Sequence, residues 1–192
     1  MKELVFLLEE PSASAMLDSM LPRFLAESIH YRLIAFEGKQ DLEKHLERRV
    51  RGYQNPHARF IILRDLDSHP ECRIVKQNLL NLCHRSGKHD QCLVRLACKE
   101  LETFYLADLD AVSKALRLPK LAKQQNHRKF RNPDDLANPS KELKALTNNS
   151  YQKVAGSREI GKYLELDNIR SASFRNLVAG IRRMETELLA LP

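Results

Sequence analysis

What this chain has little of narrows its function first. Only six glycines occur in 192 residues, and they do not gather into a loop that could cradle nucleotide phosphates, so nucleotide hydrolysis by this chain alone is not expected. No run approaches the roughly 18 uninterrupted apolar residues of a membrane-spanning helix, so no membrane partner is expected. The opening MKELVFLLEE has one lysine and a short apolar run, but the run stops at two glutamates and no small-residue cleavage site follows. It does not read as a secretory signal, and a cytoplasmic location is expected. There is no internal repeat. Cysteine is sparse too: Cys72, Cys83, Cys92 and Cys98 contain no CxxC pair, and disulfides are not expected in a reducing compartment. Buried free thiols are the plain reading, while the six residues His69, Cys72, Cys83, His84, His89 and Cys92 lie close enough in sequence to leave a zinc site open.

What is present is ordinary for a globular protein, with 43% hydrophobic and 30% charged residues. The formal net charge is +7. Residues 112–132 hold Lys114, Arg117, Lys120, Lys123, Arg128, Lys129 and Arg131 and no acid, so the remainder is formally neutral. A basic block on a neutral body is the pattern of a polyanion contact, and Lys120, Lys123, Arg128, Lys129, Arg131 and the later Lys153 are candidate nucleic-acid contacts. A solvated linker is the plainer alternative.

The hydrophobic pattern alternates between two periods. Residues 2–8 read as a strand and run through Glu9-Glu10-Pro11 into a helix carrying Met16, Leu17, Met20 and Leu21. Residues 31–36 form the next strand, and Leu42, Leu46 and Val50 then follow on one helical face. Residues 59–64 lead through Asp65 and Asp67 into a third helix beyond Pro70, and residues 91–98 lead into the helix-compatible KELETFYLADLDAVSKAL. Strands alternating with helices predict an α/β fold with a parallel sheet covered on both faces. The organisation expected is an α/β core over 1–118, a basic loop-rich segment over 119–150 with one short helix near Lys141–Leu146, and a helical segment over 151–192. In the last, helices are predicted at Arg158–Leu166 and Ser173–Leu189, the second capped by Ser171 or Ser173.

The acids fall where ligands bind in such sheets, at the carboxyl ends of the strands. Glu9 and Glu10 close the first, Glu37 the second, Asp65 and Asp67 the third, and Glu100 and Glu102 follow the fourth. In extended chain Asp65 and Asp67 point to one side, a pairing that suits a hard divalent ion such as Mg²⁺ (or Mn²⁺). Such an ion would relieve the mutual repulsion of the carboxylates and serve phosphoryl transfer or phosphodiester hydrolysis. For Glu10, Glu37 and Asp41, a helix-capping or first-turn role is at least as good a reading.

These residues also resemble a family. LLEEPSASAMLDSML looks like the glutamate motif of Toprim domains, and ILRDLDS like their DxD motif. More widely, FEGKQDLEKHL, ILRDLDSHPEC, RLACKELETFYLADLDAV and YQKVAGSREIGKYLELDNIRSASF resemble a bacterial family of unknown function with a Toprim-like fold, of the DUF4276 type. That family is related in pattern to the Toprim domains of the overcoming-lysogenisation-defect (OLD) nucleases of anti-phage systems. The resemblance covers nearly the whole chain. It implies that Glu9, Asp65 and Asp67 are the Toprim metal ligands, that Glu100 and Glu102 of the ELE motif complete the site, and that an ABC- or SMC-type ATPase encoded nearby is the partner in a hetero-oligomer. Toprim motifs usually carry Gly where Glu10 stands.

Three functions follow. The first is a Mg²⁺-dependent nuclease or nuclease subunit in which Glu9, Asp65, Asp67, Glu100 and Glu102 are catalytic. The second is a non-catalytic regulatory or structural subunit that docks on an ATPase or nucleic acid. A phosphoacceptor receiver fits less well, because the acids after the fourth strand are then unexplained. Tyr151, Lys153 and Arg158 could contact phosphate, cap the site or form a surface turn.

Overall fold

The computed structural model describes all 192 residues and has two helical layers around a four-stranded sheet. Strands β1 (Glu3–Leu8), β2 (His30–Ala35), β3 (Ala58–Asp65) and β4 (Cys92–Ala97) run parallel in the order β2-β1-β3-β4. Leu8 pairs with Ala35 on one side and Leu63 on the other, and Asp65 pairs with Ala97. The two central strands, β1 and β3, are covered on both faces and are almost continuously apolar; the edge strands β2 and β4 are only partly covered.

The period of two divides the core. Leu4, Phe6, Leu8, Ile61 and Leu63 face a layer built from α1 (Pro11–Met20), α4 (Glu102–Leu106), α5 (Leu109–Leu116), α6 (Pro139–Leu146), α7 (Lys153–Gly161) and α8 (Ala172–Leu189). Val5, Leu7, Phe60, Ile62 and Val94 face the opposite layer of α2 (Lys39–Arg51) and α3 (Cys72–Arg85). The first cluster has 32 buried residues and the second 14, because the whole carboxy-terminal part packs on one face.

Three expectations gain detail. The segment after β4 is two helices, broken where Asp108 caps α5: its Oδ1 accepts from Ala111 N (3.1 Å) and its Oδ2 from Glu165 N (2.7 Å). The helix predicted at Arg158–Leu166 lies at Lys153–Gly161, so its amino terminus comes close behind Tyr151. Residues 119–150 hold the short helix expected near Lys141–Leu146, as α6, with short turns ahead of it. These are three 3₁₀ turns, Ala122–Asn126, Arg128–Phe130 and Pro133–Asp135. Leu121, Phe130 and Leu143 reach the larger core, and Gln125 accepts from Leu109 N (2.7 Å) while donating to Leu106 O (3.1 Å) and Phe130 O (3.0 Å). Turns this short carry no 3.6-residue period for a sequence reading to find.

Ser171 caps α8 as expected, its Oγ accepting from Phe174 N at 3.0 Å. No helix is long and apolar enough to cross a membrane.

Candidate functional site

Strand order reverses between β1 and β3, and the crevice beyond their carboxyl ends is where a sheet of this type offers a ligand site. Glu9 stands at the mouth of that crevice. Its backbone is fixed between two strands, its N–H donating to Leu63 O (3.1 Å) and its carbonyl accepting from Gly38 N (3.0 Å). Its Oε2 accepts from Asp65 N (2.9 Å) and lies 3.9 Å from Arg64 Nε. Asp65 is the last residue of β3 and only 9% exposed.

Glu10 precedes α1 but does not cap it; its oxygens accept from Ser12 Oγ (2.5 Å) and from Lys153 Nζ (2.5 Å). Of the two readings open for Glu10, capping therefore fails, whereas Asp41 does accept from Glu37 N (3.2 Å) in the first turn of α2. Glu102 opens α4 with 0% exposure. Tyr151 donates its phenolic proton to Glu102 Oε1 (3.0 Å), and Glu102 Oε2 is buried without any partner.

These groups lie within one another's fields. Burial pushes Asp65 well above the usual carboxylate range, and the charges of Glu10, Glu9 and Glu102 push it further, against the N–H of Leu101. Burial also raises Glu9, with Asp67 and Glu10 adding to it while the Asp65 N–H and Arg64 oppose. Glu102 is raised by burial and then by Glu10, against Lys153 and Tyr151. Lys153 loses basicity to burial but regains more from its bond to Glu10 and from the charges of Glu10, Glu102 and Asp65.

The remaining predicted residues divide. Asp67 sits at φ 55°, in a turn where its N–H donates to Lys99 O (2.7 Å). That turn sends its carboxylate to Lys39 Nζ (2.8 Å), so it neighbours Glu9 without sharing Asp65's side as extended chain would have it. Glu100 turns away: its Oε2 accepts from Ser140 N (2.7 Å) at the start of α6, which has no side-chain cap of its own. Lys120, Lys123, Arg128 and Arg131 are exposed, and Lys129 is bound to Glu142 (2.6 Å). Only Lys153 of the predicted nucleic-acid set reaches the acidic crevice. Tyr151, 2% exposed, has no access to phosphate. The Cys92 thiol donates to Lys88 O (3.3 Å), His84 stacks on His89 at 4.3 Å, and no set of three His, Cys, Asp or Glu side chains has gathered into a metal cage anywhere in the fold.

Of the residues at this site the sequence reading missed Lys39, which pairs with Asp67. The sequence leaves Glu10 open between the acidic cluster and a helix cap, and Tyr151 between a phosphate contact, a cap on the site and a surface turn; the structure places Tyr151 on Glu102. By kind, the donors of the crevice fit a hard cation: they are carboxylate oxygens, three have raised pKa values, and one buried oxygen is orphaned. As placed, they are not closed around one point.

Among curated proteins no sequence matches. Among solved structures, the C-terminal region of the Burkholderia pseudomallei OLD protein is similar over 97% of this chain and 98% of that one, with TM-score 0.58 and 13% identity, a likeness of fold. The α/β fold is thus Toprim-like and similar to that of this OLD region. The model of the DUF4276 family, a domain of unknown function, matches residues 8–182, and the chain belongs to that family.

Proposed function

We propose that this chain is a metal-dependent nuclease, or the nuclease subunit of a complex with an ABC- or SMC-type ATPase, hydrolysing phosphodiester bonds in anti-phage defence. The observation that carries the reading is the meeting of Glu9, Glu10, Asp65 and Glu102, from three separate strand ends, at the switch point of an OLD-like fold. Glu9, Asp65 and Glu102, with Asp67 beside Glu9, would hold Mg²⁺ or Mn²⁺. When bound, the ion activates water and neutralises charge on the phosphoryl group. Lys153, tied to Glu10 at 2.5 Å, holds positive charge at the crevice edge where a phosphate oxygen would enter. The exposed Lys120, Lys123, Arg128 and Arg131 would track the polynucleotide backbone farther out.

One observation favours the alternative, a non-catalytic docking subunit: lysines already sit against Glu10 and Asp67, and no three carboxylates close on a common point. The deciding experiment is cleavage of labelled DNA and RNA with Mg²⁺ or Mn²⁺, with and without the neighbouring ATPase, comparing wild type with Asp65→Ala/Asp67→Ala. Metal-dependent cutting lost in the folded double variant supports the nuclease. Absence of cutting under every condition, by a protein that still binds its partner, would make it the docking subunit.

A further inference from the structure

Glu102 is wholly buried, and its two oxygens are treated differently. Oε1 has Tyr151 and Oε2 has nothing. The phenol has one proton and three acceptors within reach: Glu102 Oε1 at 3.0 Å, Ser157 Oγ at 3.2 Å and Lys153 O at 3.4 Å. Ser157 spends its own proton on Lys153 O (2.5 Å), so it cannot donate to the phenol. The carboxylate is both the nearest and the charged acceptor, and it takes the phenolic proton.

The ring that delivers this proton is itself locked. It lies against Gly156, where a Cβ would fall 2.6 Å from Tyr151 Cδ2, and it meets Tyr105 edge-on at 6.1 Å. Its backbone N–H donates to Thr147 Oγ1 at 3.3 Å. A buried carboxylate oxygen without a partner is costly and calls for an explanation.

We propose that Tyr151 is a positioning residue, which pins Glu102 through Oε1 so that Oε2 is the oxygen left for a divalent cation. This rests on the metal-site reading above. Tyr151 touches neither ion nor substrate; it acts through Glu102. The carboxy-terminal segment thereby grips two strand ends at once, Glu102 after β4 through Tyr151 and Glu10 after β1 through Lys153 two residues on.

The test is binding of Mn²⁺ alone to the full chain, followed by the paramagnetic resonance signal of free Mn²⁺. It compares wild type, Tyr151→Phe, Glu102→Gln, the double variant and Ser157→Ala. Tyr151→Phe keeps the ring that fills the space beside Gly156, and thermal unfolding verifies the fold. We expect Tyr151→Phe to weaken Mn²⁺ binding by about 10- to 100-fold, the usual effect of removing a hydrogen-bond partner of a metal ligand. On the Glu102→Gln background the same substitution should produce no further loss, and Ser157→Ala should bind like wild type. Wild-type affinity in Tyr151→Phe, or losses that add in the double variant, would overturn the positioning role while leaving the metal site standing. Failure of the folded wild type to bind Mn²⁺ would overturn both.

Discussion

Gly161 ends α7 where that helix crosses α1, and replacing it with alanine should loosen the site without touching any residue in it. A Cβ at this position would stand 2.5 Å from Met16 O and 3.2 Å from both Met16 Cα and Ser19 Cβ. Two of those three atoms are backbone, so no side chain can swing aside. Restoring ordinary contact requires the helices to part by about 1 Å. Overpacking of this kind costs about 1–3 kcal/mol, and alanine's better helix propensity returns at most about 1 kcal/mol at a terminal position. With a net loss of about 1–2 kcal/mol, and about 2–4 °C per kcal/mol for a domain of this size, Tm should fall by about 2–8 °C. The shift also carries Lys153 away from Glu10 and Arg23 Nη1 away from Gly161 O, now 3.0 Å apart. Thermal unfolding and Mn²⁺ titration read both effects. Gly87→Ala is the control: Gly87 has φ 78° and open space around it, so alanine there costs backbone strain alone, far from the crevice. An unchanged or higher Tm for Gly161→Ala, or equal loss of Mn²⁺ affinity in both variants, would refute this account of the α1–α7 contact.

Other predictions concern charge. Because Asp65 titrates above its unfolded value, the unfolded chain ionises first as pH rises, so this group's contribution to stability is greatest in acid and is lost towards its folded pKa. Asp65→Asn should therefore raise Tm over wild type at about pH 7 and much less at about pH 4, measured without metal; a gap that fails to widen with pH would refute it. Glu100→Ala should cost about 1 kcal/mol by uncapping α6 and leave Mn²⁺ affinity intact, whereas a ligand would lose it. Replacing Lys123, Arg128 and Arg131 together with alanine should lower the salt-dependence slope of duplex binding by about 3 if each meets a phosphate, checked by fluorescence anisotropy across a salt series.

The sheet was legible because its two central strands are buried on both faces: Leu4–Leu8 and Phe60–Leu63 are continuous apolar runs, each followed within two residues by an acid. The amphipathic helices α2 and α3 announced themselves through Leu42, Leu46 and Val50, and through Val75, Leu79 and Cys83. The site was legible only along the chain. That acids gather at strand ends follows from the pattern; which way each carboxylate turns does not. Asp67 is redirected by a positive φ, Glu100 by an uncapped helix 40 residues later, and Glu10 by a lysine 143 residues away. Each of these contacts depends on tertiary packing, above all of α7 on α1, and no local period encodes it.

Charge around the crevice links these contacts to the proposed reaction. Glu9, Glu10, Asp65, Asp67 and Glu102 meet Lys39, Arg64 and Lys153, so with all groups ionised the balance is −5 + 3 = −2. Arg64 is moreover shared with Glu43 at 3.3 Å, which makes −2 the smaller estimate of the deficit. The deficit is borne by the most buried acids: burial raises Glu9, Asp65 and Glu102 first, and the neighbouring carboxylates add to it. The large basic block does not relieve it, since Lys120, Lys123, Arg128 and Arg131 are solvent-exposed and Lys129 is bound to Glu142. One divalent cation would match a charge of −2. Under the proposed nuclease reading, the exposed charge of Lys120, Lys123, Arg128 and Arg131 would then be left for a polyanion, and the negative charge of the crevice for the ion.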